Sequence, residues 1–394
     1  MIDKPRKRKK KIALIELYGH SEVLYTLYKL LRNDFELTIF TTQQIHIDAR
    51  DYFETKLDNW LVKFPKESIE SYIKMNLIIL NAQDYIIFTT LNSSFRFFAK
   101  MDFRPKTIVI IHNVNATFYF NNSVWMDRSS IQNYFIDFLK FLKSKIYRDV
   151  FFKQKLLQKI DYISFPSKFL SSYAQSLSIG FESKMIEPLP FSFFEKPKIN
   201  TDQIIISIPG SVKDKLRDYE LIYQVLKKII PTCEKKIIFQ LLGSSGNEYG
   251  RKLVNRIKSL ENEKFKLVSF QRLLSQKEFD HYLGQTDIMI LPLKQYKKFG
   301  VIREEYGKSS ISGGLNDMIR FGIPTLLIKT YHVEDIFAPL ISTFSNKEGL
   351  LELLSDWINN EKHIEIKKAA YPMLVEMGKE KNRIKTNKIL GRLL

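Results

Sequence analysis

Short apolar runs, each closing on a small or turn-forming residue and each followed by a helical pattern, recur along the whole chain. The first half holds Lys11–Leu17 ending at Tyr18-Gly19-His20, a helical stretch over about Glu22–Leu31, then Phe35–Phe40. Tyr85–Thr89, Thr107–Ile111 ending at His112-Asn113, and Tyr162–Phe165 ending at Pro166-Ser167 continue the series. The pattern restarts at Ile204–Ile208 with the turn Pro209-Gly210-Ser211, and at Lys236–Leu242 with Gly243-Ser244-Ser245-Gly246. It goes on through Phe265–Phe270, Asp287–Leu291 and Pro324–Ile328, with helices over about Tyr219–Ile230, Gly250–Leu260, Gln276–Gly284 and Leu315–Phe321. Apolar strands that alternate with helices form parallel, doubly wound sheets, because a parallel connection needs a crossover long enough to hold a helix.

Two such series predict two domains. The segment Glu187–Asn200 carries Pro188, Pro190 and Pro197 with little periodicity and reads as a linker. The expected division is 1–195 and 196–394, and the final helical segment is expected to pack back on the first domain. The 394 residues suffice for two cores. In a doubly wound sheet ligands bind beyond the carboxyl ends of the strands. Two Rossmann-like domains are therefore expected to face each other across a cleft, with every turn named above at a strand end.

Composition narrows the function classes. The single cysteine, Cys233, excludes an intrachain disulfide and a cysteine metal cluster, and it fits a reducing compartment. Six histidines without a metal-ligand spacing, and no Asp-x-Asp triplet, argue against a metal centre. No apolar stretch reaches the length of a membrane span. The basic run Lys4–Lys11 precedes a short apolar segment interrupted by Glu16, which argues against a signal peptide. The net charge of +19 suits an anionic partner, and a compositional bias toward Lys, Ile, Phe and Asn accounts for it equally well. No nucleic-acid motif stands out.

The richest run of small residues and charges is Glu304-Glu305-Tyr306-Gly307-Lys308, then Ser309 to Ser312-Gly313-Gly314, then Asp317 and Phe321-Gly322-Ile323-Pro324. Small residues at a helix start let backbone amides approach an anion. Lys308 adds a positive charge, and Asp317 lies one turn inside the helix. Gly210 and Ser211 stand before Lys213, Lys215, Arg217 and Asp218, a glycine turn with basic neighbours. Gly243 and Ser244 form a second such turn, and Gln271 and Arg272 follow the next strand. His112 closes a strand in the first half.

In this order the motifs resemble those of GT-B glycosyltransferases, above all the retaining family with a C-terminal carboxylate and Gly-x-Pro motif. The resemblance covers nearly the whole chain. It implies a nucleotide-sugar donor held by Gly210, Ser211, Lys215, Arg217, Gly243, Ser244, Gln271, Arg272, Lys308, Ser312, Gly313, Gly314 and Asp317, with Asp317 on the ribose. It implies His112 beside the reacting sugar. Ser309 stands where that family has its first glutamate, so Glu304 and Glu305 are the acids assigned to catalysis. It implies no metal and no cofactor beyond the donor substrate. The acceptor is expected to be a glycan or a lipid-linked molecule, as in bacterial surface polysaccharide or glycoconjugate synthesis. A sugar epimerase sharing the donor loops, and a basic membrane- or nucleic-acid-binding protein without catalysis, are the competing readings.

One stretch stands outside this scheme. Over Ile131–Ile160, Ile131, Phe135, Phe138, Leu142 and Ile146 share a helical face, interleaved with Lys140, Lys143, Lys145, Arg148, Lys153 and Lys155. Two readings fit: a domain helix packed on its own core, or an interfacial helix on an anionic membrane. The protein is expected to be cytoplasmic, and the second reading adds a peripheral place on the inner face of the membrane.

Overall fold

The computed structural model describes residues 8–50, 59–118, 120–147, 149–195 and 203–393. Residues 4–7 of the basic run and 196–200 of the proline-bearing segment lie outside the described residues. The chain forms two compact units. The first runs through Phe191 and takes in Gly300–Ile302 and Glu380–Leu394, and the second comprises Ser192–Phe299 and Arg303–Lys379.

Unit 1 is built on six parallel strands: β1 (Lys11–Glu16), β2 (Glu36–Thr42), β3 (Trp60–Lys63), β4 (Tyr85–Phe88), β5 (Lys106–Ile110) and β6 (Tyr162–Ser164). Their order across the sheet is β3-β2-β1-β4-β5-β6. The central strands are buried on both faces, which is why they read as unbroken apolar runs instead of alternating ones. Ile12 and Leu14 of β1 and Tyr85 and Ile87 of β4 share a core with Val23, Leu24, Leu27 and Leu31 of the helix Ser21–Leu31. Ile389 and Leu390 of the helix Lys379–Arg392 join the same core. Asn387 Nδ2 donates to Asp34 Oδ2 at 2.7 Å, and Arg383 pairs with the same carboxylate.

Unit 2 repeats the plan with β7 (Ile204–Ile208), β8 (Ile237–Ser244), β9 (Phe265–Phe270), β10 (Ile288–Leu291), β13 (Thr325–Ile328) and β14 (Ile341–Phe344), all parallel. The order β14-β13-β10-β7-β8-β9 is the unit 1 order read from the other edge. An insertion between β10 and β13 forms a separate two-stranded ribbon of β11 (Tyr296–Phe299) and β12 (Ile302–Glu305). Both six-stranded sheets reverse strand order once, between β1 and β4 and between β7 and β10, and such reversals are where doubly wound sheets bind ligands.

The stretch read as one amphipathic run is two helices, Ile131–Ile146 and Asp149–Lys159. Lys143 and Lys145 in the last turn of the first, and Asp149 opening the second, complement opposite ends of two helix dipoles and favour a break there. The own-core reading fails for the first helix, whose one buried residue is Asp137.

Candidate functional site

At the reversal point of unit 2 the loops are tied together by backbone contacts. Gly210, after β7, holds φ +83°, a conformation that favours glycine. A Cβ on Gly243 would overlap the Gly210 carbonyl, so the turns after β7 and β8 touch backbone to backbone. Val212 N donates to Ser244 O at 3.2 Å. Asp218 N donates to Pro292 O at 2.8 Å and Lys294 N to Leu216 O at 3.0 Å, which stitches the β7 loop to the chain leaving β10. Gly314 in turn lies against Leu291, the last residue of β10.

Arg217 belongs to this stitching. It is 8% exposed, lies under Gly210, and donates from Nη1 to Ser211 O at 3.1 Å. Its buried Nε has no hydrogen-bond partner. A guanidinium held this way fixes the glycine turn and puts a permanent positive charge behind it. Lys215 is exposed, so the basic pair expected from the sequence is split between a buried and a surface position.

The helix Gly313–Phe321 starts beside the same strand end. Ser312 is its N-cap and accepts from Gly314 N at 3.3 Å, while Ser312 N donates to the hydroxyl of Tyr331 at 3.1 Å. Burial raises the Tyr331 hydroxyl above its ordinary pKa, so it stays protonated. Gly313 differs from its neighbours: a Cβ there would meet nothing within 4 Å, and its φ is not in the left-handed region. The first helical position thus exposes bare backbone to open space at the positive end of a helix dipole. Asp317 is 9% exposed one turn further in. Next to it Asn316 is buried, with no partner for Oδ1. At the other end Arg320 grips Asp280 through both terminal nitrogens, at 3.1 and 2.6 Å.

The acids of the ribbon are differently placed. Glu304 is fully buried, and burial pushes the Lys297 ammonium down to about 8 while Glu304 works to raise it. Lys297 Nζ sits 4.9 Å from the centre of the Tyr306 ring. Glu305 organises the turn that follows. Its carbonyl accepts from Lys308, Ser309 and Ser310, its N donates to Ser309 Oγ at 2.8 Å, and its carboxylate takes Gln295 Nε2 at 2.8 Å and lies 3.6 Å from Lys308 Nζ. After β8 and β9, Ser244 Oγ donates to Gln271 O at 2.7 Å. Arg272 is exposed and forks onto Glu278, which it holds down to about 2, and Glu278 also closes a capping box with Ser275. Contacts thus bring together Gly210, Ser211, Arg217, Gly243, Ser244, Gln271, Ser312 and Gly314, whereas Arg272 is occupied elsewhere.

Unit 1 presents a different cluster at its own reversal point. Glu16 ends β1 fully buried, and its carboxylate accepts from Tyr18 N at 2.7 Å, Gly19 N at 3.1 Å and Thr89 Oγ1 at 2.6 Å. Thr89 O takes a hydrogen bond from His112 Nε2 at 2.8 Å, which places the proton on that nitrogen. The His112 ring stacks on His20, centroids 4.9 Å apart and 7° from parallel. His20 Nδ1 lies 3.1 Å from Glu22 Oε1. Burial works to raise the Glu22 carboxyl, and the His20 hydrogen bond and charge prevail and hold it below its ordinary value. Sequence reasoning picked out His112 and passed over His20 and Glu22, although Gly19-His20 carries the same strand-end signal. Two imidazoles and a carboxylate in contact can bind a hydroxyl and exchange a proton with it.

Among the described residues, no three or more His, Cys, Asp and Glu gather as metal ligands would, and no helix is long and apolar enough to cross a membrane. No protein-family model and no curated protein matches the sequence. Solved structures do. HepE of Anabaena, solved with UDP-glucose, matches over 97% of this chain and 99% of its own at 11% identity and a TM-score of 0.61. The pneumococcal O-GlcNAc transferase GtfA, solved with UDP and GlcNAc, matches over 98% and 99% at 8% identity and a TM-score of 0.59. The UDP-GlcNAc 2-epimerase of Neisseria meningitidis, bound to UDP-GlcNAc, matches over 97% and 100% at 12% identity and a TM-score of 0.54. These likenesses establish the fold: the chain has the two-domain α/β architecture of the GT-B class.

Proposed function

We propose that the chain is a glycosyltransferase that moves a sugar from a nucleotide-sugar donor to a glycan or lipid-linked acceptor. The observation that carries this reading is Gly313, bare backbone at a helix start, beside turns braced by the buried Arg217. A diphosphate suits that place, because the helix dipole and a fixed guanidinium both favour negative charge. The solved structures with UDP or a UDP-sugar bound on the same fold support the donor class. In this reading Arg217 is a positioning residue, Lys215 and Lys308 add charge toward the diphosphate, and Asp317 receives the ribose hydroxyls. His112, with His20 and Glu22 behind it, holds a sugar hydroxyl or stabilises charge as the glycosidic bond breaks. Glu304 and Glu305, the acids assigned to catalysis from the sequence, are read as shaping the loop next to the sugar instead, because Glu304 is fully buried and Glu305 is engaged by Gln295 and its own turn. Arginine, lysine and helix dipole stand in for a divalent cation. The place of work is the cytoplasm, at the inner face of the membrane, in surface polysaccharide or glycoconjugate synthesis.

The epimerase reading is favoured by one observation, the likeness to a UDP-GlcNAc 2-epimerase. A thermal-shift panel of nucleoside diphosphates and their sugars, with EDTA present, tests both readings. A ligand at about 100 times its Kd stabilises the folded chain by about 2.7 kcal/mol. A shift with one nucleotide, and sugar turnover that requires an acceptor, is the expected result. Sugar interconversion without an acceptor would make the chain an epimerase. No shift with any nucleotide would overturn both.

A further inference from the structure

The helix Ile131–Ile146 turns its apolar stripe away from the protein. Ile131, Phe135, Phe138, Leu142 and Ile146 fall within an arc of roughly 80°, and Asp137 lies roughly 140° from its centre. The protein side is the Asp137 side: Asp127 N donates to Asp137 Oδ2 at 2.8 Å, and Phe141 stacks on Phe120. This reverses the amphipathy of an ordinary surface helix, which buries its apolar stripe. Ile131 is 92% exposed, Ile146 75% and Phe135 57%. Tyr134, Ile136, Phe138, Leu139, Leu142 and Tyr147 are exposed as well, and a monomer rarely leaves so continuous an apolar surface to water.

Charge indicates what covers it. Residues 131–160 carry seven Lys and Arg against two acids, Asp137 and Asp149. Lys153 and Lys159 are held by Ala116 O and Asp102, and the helix Ile131–Ile146 itself carries Lys140, Lys143 and Lys145 against Asp137. Of the two acids, Asp137 is buried on the protein side, where it pairs with Lys140 at 3.7 Å. By helical angle Lys145 lies next to one edge of the stripe and Lys143 on its other side, and their ammonium groups sit over the Phe141 ring at 5.4 Å and the Tyr147 ring at 5.8 Å. Large aliphatic and aromatic side chains bordered by lysines fit the boundary between acyl chains and anionic headgroups. At 16 residues the helix is too short to span a bilayer and long enough to lie in its surface.

We propose that the helix Ile131–Ile146 is a docking element that lies in the plane of an anionic lipid leaflet and holds unit 1 at the membrane. The proposal rests on the reading of a transferase working at a membrane-borne acceptor and deepens it by naming the surface and its partner. The test is sedimentation of the full chain with vesicles of phosphatidylcholine alone and with about a third phosphatidylglycerol. Wild type is expected to bind only the anionic vesicles and to release as salt rises. The triple variant Ile131→Glu, Phe135→Glu, Ile146→Glu changes exposed side chains only and should melt like wild type. It should bind at least about tenfold less. Wild type that ignores anionic vesicles overturns the proposal, as does a triple variant that binds like wild type. A wild-type dimer that the triple variant dissociates, with no vesicle binding, also overturns it and makes the stripe a contact between copies. The nucleotide thermal shift, run on the same samples, separates the two readings: docking without any nucleotide shift leaves this proposal and removes the transferase, and a shift without docking does the reverse.

Discussion

The two units share one strand order and use their glycines in opposite ways. In unit 1 a Cβ added at Gly19, Gly180, Gly300 or Gly391 would meet nothing within 4 Å. In unit 2 every glycine but one has a neighbour that such a Cβ would touch or overlap, and the exception is Gly313. The strand ends of unit 1 are instead furnished with side chains: Glu16, Thr89, His112, His20 and Glu22. One frame therefore supports two kinds of site. Backbone packed on backbone leaves amides and a helix start for an anion, whereas titratable side chains leave groups suited to hydroxyls and protons.

The largest effect that separates the units is on stability. Gly243→Ala sets a methyl into the Gly210 carbonyl, where neither partner can rotate away, and should cost about 3 kcal/mol. Gly391→Ala, in a helix with open space beside it, should be neutral or stabilise by up to about 1 kcal/mol. Urea unfolding of both variants checks this. Equal effects would mean that the glycines of unit 2 are not packed as described.

The next contrast is functional. His112→Ala should lower turnover about a hundredfold, in the range of lost acid–base or charge stabilisation, with nucleotide affinity nearly unchanged. Asp317→Ala should chiefly raise the donor Kd, by about tenfold for a lost charged hydrogen bond. Calorimetric titration beside rate measurement distinguishes the two. The reverse pattern would exchange the roles of the two units.

The parts of this architecture legible from sequence are those where a local rule and the packing agree. Central strands such as Ile12–Ile15 and Ile204–Ile208 are buried on both faces, so their apolar runs announce them. The edge strands β3 and β14 escaped notice because their residues are largely half-buried and mixed in character. The ribbon escaped for a related reason: in Tyr296–Phe299 and Ile302–Glu305 charged residues interrupt the pattern. Within the sites the glycine turns were legible, since small residues at strand ends carry their own physical reason. Their partners were not. Arg217 reads as a surface cation and is buried beneath Gly210, and Ser312 is served by Tyr331, across β13. His20 reaches His112 only because β1 lies two strands from β5 in the sheet. Ile131–Ile146 shows the converse: its apolar periodicity fits a core face and an interfacial face alike, and only the structure shows that the stripe points to solvent.

The central claim, that unit 2 receives a nucleoside diphosphate at bare backbone, is tested most directly at Gly313. Gly313→Leu places a side chain in open space at the first position of the helix, so the variant should melt like wild type. If the diphosphate lies against that backbone, calorimetric titration with the nucleoside diphosphate that shifts wild type should show affinity reduced at least about tenfold. A Gly313→Leu protein that binds the nucleotide as tightly as wild type would contradict the account.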